Sequence, residues 1–168
     1  MKKFRLFLWI SFILLLNSGC GVYSFTGASI PPGAKTVSIA YFTNQAPLIE
    51  PTLSQSLTDA LRDRFQQQTS LTLVNTNGDL QLEGVITDYS TRPVAIQGNE
   101  TAALNRLSIS VKVKYINTLE PDKDYETTFT RFEDYPSNQD INQVKDALIP
   151  SIDDALVDDI FNKAVVNW

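Results

Sequence analysis

Within the stretch Leu104–Asn117, LNRLSISVKVKYIN, residues 106–115 alternate without a break. Leu107, Ile109, Val111, Val113 and Tyr115 are apolar, while Arg106, Ser108, Ser110, Lys112 and Lys114 between them are polar. Successive strand side chains point to opposite faces, so this is a β-strand with one buried and one wet face. Antiparallel sheets permit that arrangement, whereas parallel sheets are usually covered on both sides.

Reading outward, residues 80–89 predict a second strand, with Leu80, Leu82 and Ile86 on one face and Gln81, Glu83 and Thr87 on the other. A break is expected at Arg92-Pro93, followed by a polar excursion around Gly98. Upstream, the turn-forming run NTNGD at residues 75–79 separates a short strand at 71–74. Residues 52–68 predict a helix whose Leu53, Leu57, Ala60, Leu61 and Phe65 share one face. Residues 35–42, KTVSIAYF, predict the first strand, and 125–132, YETTFTRF, the last. Ser137 with Asp140 marks a closing helix, where Ile141, Val144, Leu148, Ile152, Leu156 and Ile160 recur on one side. Pro150 is expected to kink that helix or split it in two.

The order is β-α-β-β-β-β-α. It predicts an α+β fold, a two-layer α/β sandwich with a mostly antiparallel sheet of four to five strands. Two helices pack on one face, and the other face stays open and polar.

The chain begins with Lys2, Lys3 and Arg5, an apolar run over residues 6–16 broken by Ser11, and then Asn17-Ser18-Gly19-Cys20. That is the layout of a secretory signal peptide, and the run is too short for a transmembrane helix of about 20 residues. The expected organisation is a lipoprotein signal peptide at 1–19, a lipidated tether at 20–34 and a single domain at 35–168. Without the leader's basic residues the formal charge falls from −5 to about −8, which disfavours nucleic acid as a partner. The chain has no His and its single cysteine is Cys20, so the commonest catalytic base, metal ligand and disulfide are missing. Gly78-Asp79 and Gly98-Asn99 are isolated turn glycines without a phosphate-cradling motif. Asp153-Asp154 and Asp158-Asp159 are expected on the solvated side of the last helix. No catalytic residue, cofactor or metal site is assigned.

The leader's Ser-Gly-Cys ending resembles a bacterial lipobox, which implies acylation of Cys20. Two acyl chains or more make such an anchor stable. The absence of acidic residues just after Cys20 resembles the sorting pattern for the outer membrane. Three segments, CGVYSFTGASIPPGAKTVSIAYFTNQA, LTDALRDRF and GDLQLEGVITDYS, together resemble the LptE family of lipopolysaccharide-assembly lipoproteins, in its Bacteroidetes-type branch. The resemblance runs from Cys20 to about Trp168. It implies a non-catalytic outer-membrane lipoprotein that faces the periplasm and sits in the lumen of an LptD-type β-barrel, with lipopolysaccharide as its cargo. Arg106, Lys112 and Lys114 on the wet strand face are candidate contacts for the glycolipid's phosphate or carboxylate groups. The same cations also fit a solvated edge that discourages aggregation, paired with Glu83 or Glu126, or a contact with the barrel. The alternative function is a general envelope lipoprotein acting as a protein-interaction module, similar to the amino-terminal domain of TolB.

Overall fold

The computed structural model describes residues 29–94 and 103–166. The expected leader, Cys20 and the excursion at Gly98 lie outside the described residues. The elements are β1 (Thr36–Ile39), β2 (Thr43–Asn44), α1 (Leu53–Gln68), β3 (Thr72–Val74), β4 (Leu80–Val94), β5 (Leu104–Asn117), a 3-10 turn (Pro121–Lys123), β6 (Tyr125–Pro136) and α2 (Ile141–Val165).

The sheet has six strands in the order β3-β1-β4-β5-β6, with β2 also on β4. It is mixed, which refines the expected four to five mostly antiparallel strands. The long ladders β4/β5 and β5/β6 are antiparallel. The short ones, β1/β3, β1/β4 and β2/β4, are parallel. α1 supplies the crossover that lets β3 run parallel to β1. The chain then returns over β1 to start β4 on its other side. A Cβ on Gly78 would lie 2.5 Å from the Ser38 backbone nitrogen and 2.8 Å from the Val37 carbonyl carbon, so only glycine fits this crossing. Beside it, Asn77 adopts φ 55°, as the turn composition anticipated. Asp79 Oδ2 accepts from the Lys35 and Thr36 amides, each at 2.9 Å, and fixes the start of β1.

Three boundaries differ from expectation, among them the end of β6, at Pro136 rather than Phe132. β1 is short, because the chain leaves the sheet between Ile39 and Thr43 before β2 rejoins it. β4 continues through Arg92-Pro93 to Val94, paired with β5 except at a bulge at Thr87. The partners on its other flank end at Ile86, and on an unpaired flank a proline's missing N–H costs nothing.

Every second residue of β5 faces the helices, as do Leu80, Leu82 and Ile86 of β4 and, after a bulge at Thr87 that shifts the alternation by one, Tyr89; with the helices they build one core. Leu53, Leu57, Leu61 and Phe65 of α1 are fully buried, as are Leu156 and Ile160 of α2. Each such side chain contributes about 1.5–3 kcal/mol by burial. The helices lie side by side and run in the same direction, since Ser56 meets Asp153 and Phe65 meets Phe161 edge-on at 5.1 Å. α2 is capped by Asp140, whose side chain accepts from the Asn142 amide at 2.8 Å. It runs unbroken past Pro150, so the split into two helices does not occur. Pro150 and Asp146, whose carbonyl loses its donor there, are both exposed, leaving water to serve that carbonyl.

The described chain begins beside the end of α2, where the Ser29 amide donates to the Val165 carbonyl. β4 also starts at this end, opposite Asn117, and finishes at Val94 opposite Leu104.

Candidate functional site

The face of β4, β5 and β6 turned away from the helices is uncovered. Its rows follow directly from the alternation: Ser108, Ser110, Lys112 and Lys114 on β5, flanked by Phe132, Thr130, Thr128 and Glu126 on β6. Ser110 Oγ and Thr130 Oγ1 are 2.8 Å apart across the strands.

All three predicted cations stand on this face, but their surroundings differ. Arg106 is committed to Asp134 through two hydrogen bonds of 2.7 and 2.9 Å, and its guanidinium lies 3.5 Å from the centroid of the Phe132 ring. Hydrogen bonding to Arg106 holds the Asp134 carboxyl below its ordinary range, and the same bonds raise Arg106. Lys112 pairs with Glu126. Lys114 sits in register between Glu83 and Glu126, yet has no ion pair within 4.0 Å among the described residues. It is the freest cation of the three.

Lys112 and Lys114 border an open depression of about 320 Å³, completed by Tyr41, Glu83, Val85 and Glu126. Tyr41 is 54% exposed, so an apolar ring and a polar rim face the same space. Gly84 forms its floor, where the buried Phe42 ring presses against the strand from the core side. This arrangement can hold an anion or a polar chain non-covalently, through ammonium groups and hydroxyls. Among the described residues, no group of three or more His, Cys, Asp or Glu is placed to hold a metal ion.

Of the acid pairs of α2, Asp154 and Asp158 are exposed as expected, but Asp153 is buried and Asp159 is half-buried. Asp158 pairs with Arg64 of α1, and Asp159 accepts two hydrogen bonds from Arg131 of β6 at 2.6 and 2.5 Å. Asp153 is buried, 3% exposed, against α1. Desolvation pushes its carboxyl up to about 6, more than the Ser56 hydrogen bond pulls it down. The signal was in the spacing: positions 149, 153, 156 and 160 share one helical face, and the other three are apolar.

A family model described as LptE, Lipopolysaccharide-assembly, matches residues 34–164. No curated protein matches the chain. Among solved structures, the uncharacterized lipoprotein B of Nitrosomonas europaea is similar at 14% identity and TM-score 0.54, over 85% of this chain and 88% of that one. The rare lipoprotein B of Shewanella oneidensis is similar at 12% identity and TM-score 0.53, over 74% and 91%. A minor lipoprotein of Acinetobacter baumannii gives 17% identity and TM-score 0.50, over 77% and 91%. At these identities the likeness is one of fold.

Proposed function

This chain belongs to the LptE family, and we propose that it acts as a non-catalytic outer-membrane lipoprotein partnering an LptD-type β-barrel in lipopolysaccharide assembly and transport. The family match and the lipoprotein neighbours support an envelope lipoprotein of LptE type. In this reading Cys20 carries the acyl chains, and the domain faces the periplasm and the barrel lumen. The observation that carries the partnership is the uncovered sheet face, rich in Ser and Thr, on which Arg106 pairs with Asp134 and Lys112 with Glu126. A barrel interior is polar, and a surface of that kind can sit in it with those charges already matched. The glycolipid contact falls on Lys114, with Lys112 beside it, because Arg106 is already held by Asp134.

Extraction of the tagged protein from its native host in mild detergent tests this, with co-purifying proteins identified by mass spectrometry. A stoichiometric β-barrel of LptD type is the expected result. Recovery with soluble envelope proteins and no barrel would instead favour a general interaction module.

A further inference from the structure

A second cavity, again of about 320 Å³, lies where the described chain meets the end of α2. Pro31, Tyr115, Lys123, Tyr125, Lys163 and Ala164 border it. The Tyr115 and Tyr125 rings stack at 5.1 Å with 19° between their planes, which makes a rigid wall. Lys163 Nζ stands 4.9 Å from the centroid of the Tyr125 ring. Lys163 has no carboxylate partner among the described residues, and Lys123 shares its charge with Glu120 at 3.0 Å. Asp124, next along the chain, spends Oδ1 on the Asn117 amide at 2.7 Å.

The lining therefore holds two ammonium groups and no carboxylate. Glu120 and Asp124 stand close by, so Lys163 is the lining charge without a carboxylate partner among the described residues. The depression on the open sheet face differs, since its two lysines are balanced by two glutamates. The Tyr125 hydroxyl is buried and has no hydrogen-bond partner among the described residues. Burial raises its pKa, so it remains a donor.

We propose that this cavity binds the phosphate of a glycerophospholipid headgroup, with Lys163 and Lys123 as its cationic walls. Ammonium groups act on phosphate as mobile point charges and form short charge-assisted hydrogen bonds to it. The anchor proposed above enters only in the choice of source. Eight residues separate Cys20 from Ser29, a span of at most about 30 Å, so an anchored domain keeps this end near the headgroups.

The test uses the full lipidated chain in dodecyl maltoside, a detergent without phosphate. Acetylation rates of Lys163, Lys123 and, as an internal reference, Lys114 are followed by mass spectrometry. Dihexanoyl-phosphatidylglycerol, added below its micellar concentration, is expected to slow Lys163 and Lys123 several-fold and leave Lys114 unchanged. Lys163→Gln is expected to abolish the protection of Lys123. Equal slowing by inorganic phosphate would assign the site to a free oxyanion and overturn the headgroup assignment. No protection, or equal protection of Lys114, would overturn the site altogether. No barrel is present in this experiment, so its outcome is separate from that of the partnership.

Discussion

The Ser56 hydroxyl and the Asp153 carboxyl, 97 positions apart in the chain, meet at 2.6 Å inside the seam between the two helices. Ser56 Oγ also lies 3.2 Å from the Leu53 carbonyl, and a hydroxyl has only one proton to give. At 2.6 Å the Asp153 carboxyl is the nearer acceptor, so the Ser56 proton goes to it and favours its ionised form, against the desolvation that raises the group. The other Asp153 oxygen has no partner among the described residues, which a neutral carbonyl oxygen tolerates better than a carboxylate.

Asp153 should therefore make stability depend on pH. Its folded pKa of about 6 lies above the ordinary 3.8, so the folded state holds the proton more tightly. Stability from this group is full below pH about 4, falls as pH rises, and levels off once pH has passed the folded value. The loss is on the order of 3 kcal/mol. Asp153→Asn keeps the shape and an acceptor, and is expected to be more stable than the parent near neutral pH. Urea melts at acidic and neutral pH would read this, and a parent-like slope in the variant would sink it.

Gly78 and Gly84 should differ in whether they can be rescued. Alanine at 84 meets the Phe42 ring at 2.2 Å, whereas alanine at 78 meets the β1 backbone. Both substitutions are expected to destabilise, by about 1–3 kcal/mol or more. Adding Phe42→Leu should recover part of the loss for Gly84→Ala and none for Gly78→Ala. Thermal melts of the four variants decide it, and equal recovery in both would contradict the crossing of β1.

The three cations of the open face should separate on substitution. Lys114→Gln is expected to weaken binding of purified lipopolysaccharide most, and Lys112→Gln less. Arg106→Gln leaves Asp134 unpaired and uncovers Phe132, so its effect should fall on stability first. Binding measured across a salt series, alongside recovery of the barrel complex, distinguishes these. Unchanged binding in the triple variant at every salt concentration removes the glycolipid assignment.

Cys20→Ser should leave the domain folded while abolishing acylation. Mass analysis of the mature protein from its native host is expected to find acyl chains on residue 20. An unmodified amino terminus at another position would refute the anchor.

Where one residue's neighbours were set by its own strand or helix, the sequence was sufficient. β5 was read to its ends because a strand with one dry and one wet face must alternate, and α1 because its apolar stripe is regular. The parallel pairings were not visible, since they depend on where the chain comes down after α1 and on a loop crossing β1 at Gly78. Pro93 misled because a proline announces a break only where both flanks of a strand are paired. The open-face cations could be named from alternation, but not their partners: Asp134 lies 28 positions from Arg106. Glu50, only 8% exposed and held at 2.7 Å by Lys145 of α2, gave no local sign of burial either.

The first described residues, the start of β4 and the stacked tyrosines share one end of the sheet, and β4 leaves from there for 15 residues. At about 3.3 Å per residue that strand extends on the order of 50 Å. In the lipoprotein proposed above, that length would add to the reach of the tether. Its far edge, at Val94 and Leu104, would then meet a partner well beyond the end of the domain at which the described chain begins.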